Sequence, residues 1–528
     1  MKNKRIFYFL LVFTILFQFS CTSIKEMNFL VTDKKHTPAE LIKDVDFAYM
    51  MLTKGHPGVY WYISKEKLDF KFDSLKKTLT TPLTTKEFYK KMAPLIAEVK
   101  CGHTRLIFVT KTFTKREKDS IAKLGKPISQ LGYKVINNKL YVNSINKKLT
   151  KAKKGDEILA IGDVPSLEII NNLERNYASD GYNETFKAAV LNRAFANWYT
   201  TIYDNRDTLN FKIKNRDSIF NLAVTTIKKE EKKDTSKVKS PIVKLSKDSL
   251  LAGKNLAKQK LRLRYKGSDE LKKPLLDLKF LEKDSSVAYL KVKSFSFPYA
   301  DFDRFFKESF ATIKTGNTKN LILDLRDNGG GSLTACRNLF AYLVDKDFVY
   351  LTQTEVDRRF NPYLHSKGIV NAIKVVPFQI VNSIILMKNK DKYKLNYKGM
   401  KPLHPKRDHF DGKLYVLING YTFSASALIS ANLQQIKRAT FIGQETGGGY
   451  NGCVAGSIPV LSLPNSKLKL RMGLYPVRPN AHTEIIGRGI FPDYEIKSTI
   501  EDIIAGKDKE LDWVLNNLTN PKTLSNLK

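Results

Sequence analysis

Cysteine is scarce, with four in 528 residues, at positions 21, 101, 336 and 453. Their wide spacing, with no C-x-x-C pair, excludes a disulfide framework and a structural zinc site. Acidic residues are also short, since 52 Asp and Glu stand against 90 Lys and Arg and leave a net charge of +38. The excess is mostly Lys, interspersed with acids along the whole chain. No arginine-rich arm or aromatic–basic ribonucleoprotein pattern accompanies it, so nucleic acid is not an expected partner. A general Lys bias, or attraction to an anionic membrane or polysaccharide surface, accounts for the charge. Beyond the first twenty-one residues no apolar run is long enough to span a bilayer. The 42% hydrophobic content excludes wholesale disorder, and the length implies about three domains.

What the chain does have begins at its start. Lys2, Lys4 and Arg5 precede an apolar run from Ile6 to Phe19. A basic start followed by a short apolar stretch is the pattern of a secretory signal peptide. Ser20-Cys21 places a small residue before a cysteine, which resembles a bacterial lipoprotein cleavage site. Residues 1–21 are therefore expected to be a signal peptide of lipoprotein type. Lipidation at Cys21 would tether an exported protein to the cell envelope, facing the periplasm or the cell surface.

Residues 37–110 read as an N-terminal helical domain, with Leu41, Ile42, Val45, Phe47 and Met50 at near-helical spacing and Phe88, Met92, Leu95 and Ile96 in a second stretch. From 127 to 227 the period shortens towards that of strands. There Lys154-Gly155-Asp156-Glu157-Ile158-Leu159 resembles the glycine–aspartate turn and strand of the PDZ family. That resemblance implies a carboxylate-binding loop at Leu131, Gly132 and Tyr133, which would hold the C-terminal end of a peptide. A module that binds nothing is the alternative. Residues 228–284 open on Lys228-Lys229-Glu230-Glu231 and read as a basic linker or insertion. Residues 285–500 alternate strands and helices, as an α/β core with a buried sheet would, and 501–528 is expected to form a C-terminal helix.

Two loops in this last region carry chemistry. Asp324-Leu325-Arg326-Asp327-Asn328-Gly329-Gly330-Gly331-Ser332 follows a buried strand. Three glycines free the backbone to turn and bring N–H groups close to a ligand. No Walker or dinucleotide fingerprint is present. Asn419-Gly420-Tyr421-Thr422-Phe423-Ser424-Ala425-Ser426 links a strand to a helix. A serine at such a junction is either a helix N-cap or a nucleophile projecting from a tight turn.

Together these residues strongly resemble the tail-specific (C-terminal processing) serine peptidase family, including its tricorn-core-like branch. His56-Pro57-Gly58, Cys101-Gly102-His103-Thr104 and Gly489-Ile490-Phe491-Pro492-Asp493 extend the likeness over most of residues 40–500. The resemblance implies a crotonase/Clp-protease-like catalytic core, with a PDZ-like module and an N-terminal helical domain. It also implies endopeptidase activity on exported proteins or peptides, without a metal or organic cofactor.

Carried over by position, Ser424 is the nucleophile and Ser426 the lesser candidate. The C-terminal processing branch places a lysine 25 residues after its serine, where this chain has Gly449. A Ser–Lys dyad is thus not expected, and His103 takes the place of the tricorn-like branch's base. Ala425 and Gly330 would supply oxyanion-hole N–H groups. The branch's glutamate would fall on Ile486, which leaves Glu484, two residues upstream, as the candidate that orients His103. The missing lysine and displaced glutamate also keep open a non-catalytic protein on the same scaffold that binds peptides or apolar ligands.

Overall fold

The computed structural model describes residues 24–203, 206–216, 218–229, 265–268, 273–282, 285–296, 300–366 and 369–519. The expected signal peptide with Cys21, and most of the expected linker, lie outside the described residues.

A short helix at Ile24–Thr32 is followed by three longer ones: α1 (Pro38–Gly55), α2 (Lys65–Lys77) and α3 (Thr85–Ala97). Thr37 and Thr84 each close a capping box with the glutamate three residues on, which starts α1 and α3 sharply. The inward faces of these helices do not make a core of their own. Leu41, Met51 and Phe88 share one buried cluster with Leu140, Phe211 and Leu470 from distant parts of the chain. The strand Arg105–Ile107 seals this by pairing with Lys469–Arg471, Leu106 opposite Leu470. The N-terminal helices are thus packed into the molecule.

Residues 131–225 form an antiparallel sheet in the order β5-β4-β3-β2-β1, where β1 is Leu131–Ile136, β2 Lys139–Ile145, β3 Glu157–Ile161, β4 Thr208–Asn215 and β5 Ser218–Thr225. Asn137 and Asn138, both at positive φ, make the tight turn between β1 and β2. Two helices, α4 (Ser166–Glu174) and α5 (Thr185–Ile202), lie between β3 and β4 in the chain.

A second large sheet has six strands in chain order: β6 (Leu276–Phe280), β7 (Val287–Val292), β8 (Asn320–Asp324), β9 (Lys413–Ile418), β10 (Thr440–Gly443) and β11 (Tyr494–Glu495). Only β6 runs antiparallel to its neighbour. Being covered on both faces, β8 and β9 are apolar almost throughout. Leu321 and Leu323 join the cluster under α6 (Phe302–Thr315) and α7 (Leu333–Phe340), while Ile322 and Leu417 face Val514 of the C-terminal helix Lys509–Thr519. Between α7 and β9 the chain forms α8 (Ile369–Ile385), and after β9 it enters α9 (Ala425–Gln435). The two chemically suggestive loops leave the C-terminal ends of the adjacent parallel strands β8 and β9, where α/β sheets present their ligands.

Candidate active site

The Asp324–Ser332 loop divides into a structural half and an open half. Asp324 is fully buried and accepts from Tyr289 (2.5 Å), Lys291 (3.0 Å) and Arg326 (3.0 Å). Arg326 also reaches Asp508 at 2.6 Å, which ties the loop to the start of the C-terminal helix. These cations hold the Asp324 carboxyl down at about 2 against the opposing effect of burial. The Asp-Leu-Arg part of the motif is therefore an ion-paired anchor.

The glycines face the second loop. Thr422 Oγ1 donates to Leu325 O at 2.9 Å, and Phe423 N–H to Asn328 O at 3.0 Å, so the loops are stitched together. Ser424 sits at φ 56° and ψ −124°, left-handed backbone that a serine rarely adopts. It makes no side-chain cap, although it occupies the N-cap position of α9. A side chain on Gly330 would bring its Cβ within 2.7 Å of the Ser424 Cβ, so only glycine allows this approach. Strain of this kind is typical of functional turns.

His103 approaches from the N-terminal region, just before the strand that pairs with Lys469–Arg471. Its Nε2 lies 3.0 Å from Ser424 Oγ. The imidazole stacks on Phe423 at 4.7 Å between centroids, and Phe423 stacks on Phe186 at 4.4 Å. Gly102 permits that stack, because a Cβ there would meet the Phe423 ring at 2.7 Å. Arg471 donates to the His103 carbonyl at 2.6 Å and fixes the backbone. Burial first, and then the positive fields of Arg471, His56 and Arg105, push the His103 imidazole down to about 3. It is neutral at physiological pH, the form in which an imidazole can accept a proton.

The other expected residues divide. Ala425 begins α9, where a first-turn N–H has no helical acceptor, and among the described residues it donates to no protein group. Gly330 does not fill its expected role, because its N–H already donates to Asn328 Oδ1 at 2.9 Å. Its contribution is close approach. Ser426 is fully buried within α9.

Glu484 is a correction. Its side chain is 95% exposed and pairs with His482 at 3.2 Å, while His103 Nδ1 is buried without a partner. Leu131, Gly132 and Tyr133 are a second correction. They belong to strand β1, with the Leu131 and Tyr133 side chains buried and Tyr133 stacked on Phe195 of α5 at 4.5 Å. Asn192 of α5 already bonds both the N–H (2.5 Å) and the carbonyl (3.2 Å) of Val135. The strand edge to which a peptide would add is thus occupied from within the chain.

Asp180 is the residue that sequence reasoning missed. It is buried between α4 and α5, accepting from Gly102 N–H at 2.8 Å and from Gly449 N–H at 3.3 Å. Gly449 is the position where a Ser–Lys enzyme would carry its lysine. A carboxylate oxygen of Asp180, a ring nitrogen of His103 and the Cys101 sulfur lie within 4.8 Å of one another. Burial raises the Asp180 carboxyl to about 6 and the Cys101 thiol to about 11. Beside this cluster a cavity of about 260 Å³ is lined by Gly102, Tyr177, Phe186, Arg193, Trp198 and Tyr421, among others.

Residues 286–496, which contain both loops, match the family model of peptidase family S41. This part of the chain is similar to peptidase family S41. Two solved structures share the fold of most of the chain. Mature CPAF complexed with lactacystin is 16% identical, with a TM-score of 0.62 over 92% of this chain and 99% of its own. Mature CPAF is 15% identical, with a TM-score of 0.57 over 88% of this chain and 94% of its own. No curated protein sequence matches the chain. The S41 match supports a serine-type peptidase, and the family implies substrates that are proteins or peptides.

Proposed function

We propose that the protein is an exported serine endopeptidase, with Ser424 as nucleophile and His103 as general base. The observation that carries this is the 3.0 Å contact between His103 Nε2 and the Oγ of a serine held in left-handed backbone. His103 takes the hydroxyl proton as Oγ adds to the substrate carbonyl carbon. The tetrahedral oxyanion is stabilised by the free Ala425 N–H at the start of α9. The imidazolium then gives its proton to the departing amine, and water, deprotonated by the same histidine, releases the acyl group.

An imidazolium in so buried a site needs a partner. Asp180 supports it as a positioning residue behind the ring, in place of the expected Glu484. The aromatic cavity next to Gly102 accepts a substrate side chain.

Residues 127–227 are read as a PDZ-like module whose peptide edge is blocked, so the module organises the site by presenting Asp180 and Phe186. The signal-peptide pattern of residues 1–21 supports export, with a lipid anchor at Cys21.

Turnover tests this reading. Wild-type protein should cleave an unfolded protein substrate, and Ser424→Ala should not. Tight binding of peptides by wild type without cleavage would favour the binding-protein alternative.

A further inference from the structure

Helix α8 is apolar on two opposite sides. Its inner side packs on the molecule through Val375, Phe378 and Ile385, with Phe378 edge-on to Tyr363 at 5.2 Å and Asn382 buried. Its outer side carries Ile373, Val376, Ile380 and Ile384, each between 56% and 69% exposed, and Met387 extends the stripe. A helix apolar on both sides belongs in a buried setting, so this outer face is covered by something other than water.

Charge says what covers it. Residues 358–390 hold six Lys or Arg and no Asp or Glu, within a chain of net charge +38. Lys374, Lys388 and Lys390 are exposed beside the apolar stripe. A second copy would set two such basic faces against each other, whereas an anionic surface would neutralise them. No helix among the described residues is long and apolar enough to cross a membrane, which leaves an orientation in the plane of the interface.

We propose that the outer face of α8 is a membrane-contact surface that seats on an anionic lipid bilayer. The apolar stripe enters the headgroup–acyl boundary, and the lysines lie at the level of the lipid phosphates. The inference is independent of the reaction at Ser424.

The chain from Thr22 onward keeps every described residue and is sedimented with vesicles of phosphatidylglycerol and phosphatidylcholine, or of phosphatidylcholine alone. Wild type partitions onto the anionic vesicles by about tenfold or more over the neutral ones. The variant Val376→Glu/Ile380→Glu/Ile384→Glu loses that binding while keeping its melting temperature. The variant Lys374→Glu/Lys388→Glu/Lys390→Glu loses the preference for anionic lipid. Absence of wild-type binding, or binding that neither variant changes, would overturn the proposal. So would self-association that the apolar variant abolishes, which would give the face to a second copy.

Discussion

His103 Nε2 lies 3.0 Å from Ser424 Oγ although 321 residues separate them. The strand pair that joins residues 105–107 to 469–471 makes this contact possible, because it fixes the N-terminal region against the S41-like region. The proposed base is thus delivered by packing between distant segments, and the proposed nucleophile by a strained turn.

Asp180 gives the pH dependence its sign. His103, held at about 3, is neutral across the working range and sets no limb there. Asp180 is raised to about 6 by burial, so the carboxylate needed behind the imidazolium is lost as pH falls through that value. The groups whose own ionisation its charge disfavours are Cys101, Cys453 and Tyr62, and all three stay protonated at neutral pH. kcat/KM should therefore rise with pH to a plateau above about 6. Asp180→Asn should lower kcat by about 10²–10⁴ and abolish that limb, and Asp180→Glu should restore part of the rate. A pH–rate profile on the three proteins checks this; a purely structural role would leave the limb where it was.

Gly330→Ala should cost activity through geometry. The added methyl would press on Ser424 Cβ and the Ala425 N–H at 2.7–2.8 Å, at a backbone φ of +91° that alanine disfavours. We expect a loss of about 10²-fold or more in kcat together with about 1–3 kcal/mol of stability, read by steady-state kinetics and thermal unfolding.

Glu484→Gln should do nothing. An exposed carboxylate paired only with His482 contributes little, so kcat and the melting temperature should stay within error of wild type. A large loss of rate would return Glu484 to the site.

Arg326→Ala should unfold rather than inactivate. It would leave Asp324 buried with one cation fewer and release Asp508. Breaking a buried pair costs about 3–5 kcal/mol, visible as a lower denaturant midpoint.

Much of the site was legible in the sequence. Glycine runs and serines at strand–helix junctions are local signals, so both loops could be placed from Asp324–Ser332 and Asn419–Ser426 alone. His103 became legible through family resemblance, since an isolated histidine says little. Asp180 was not legible. Ala178-Ser179-Asp180-Gly181 reads as an ordinary polar turn, and its role follows from long-range contacts with Gly102 and Gly449. Glu484 was misplaced because position was inferred from spacing to Gly489, and a two-residue offset in an exposed loop moves a side chain out of reach. The Leu131, Tyr133, Val135 alternation did announce a strand. That Asn192 closes its edge depends on how α5 packs, which periodicity does not encode.

The most direct test of the central claim is labelling with an active-site fluorophosphonate, followed by peptide mapping, on wild type, Ser424→Ala and His103→Ala. The account predicts a single adduct on Ser424 in wild type and none in Ser424→Ala. In His103→Ala labelling should slow by at least about 10³-fold. An unlabelled but folded wild type, or labelling of Ser424 at the same rate without His103, would contradict it.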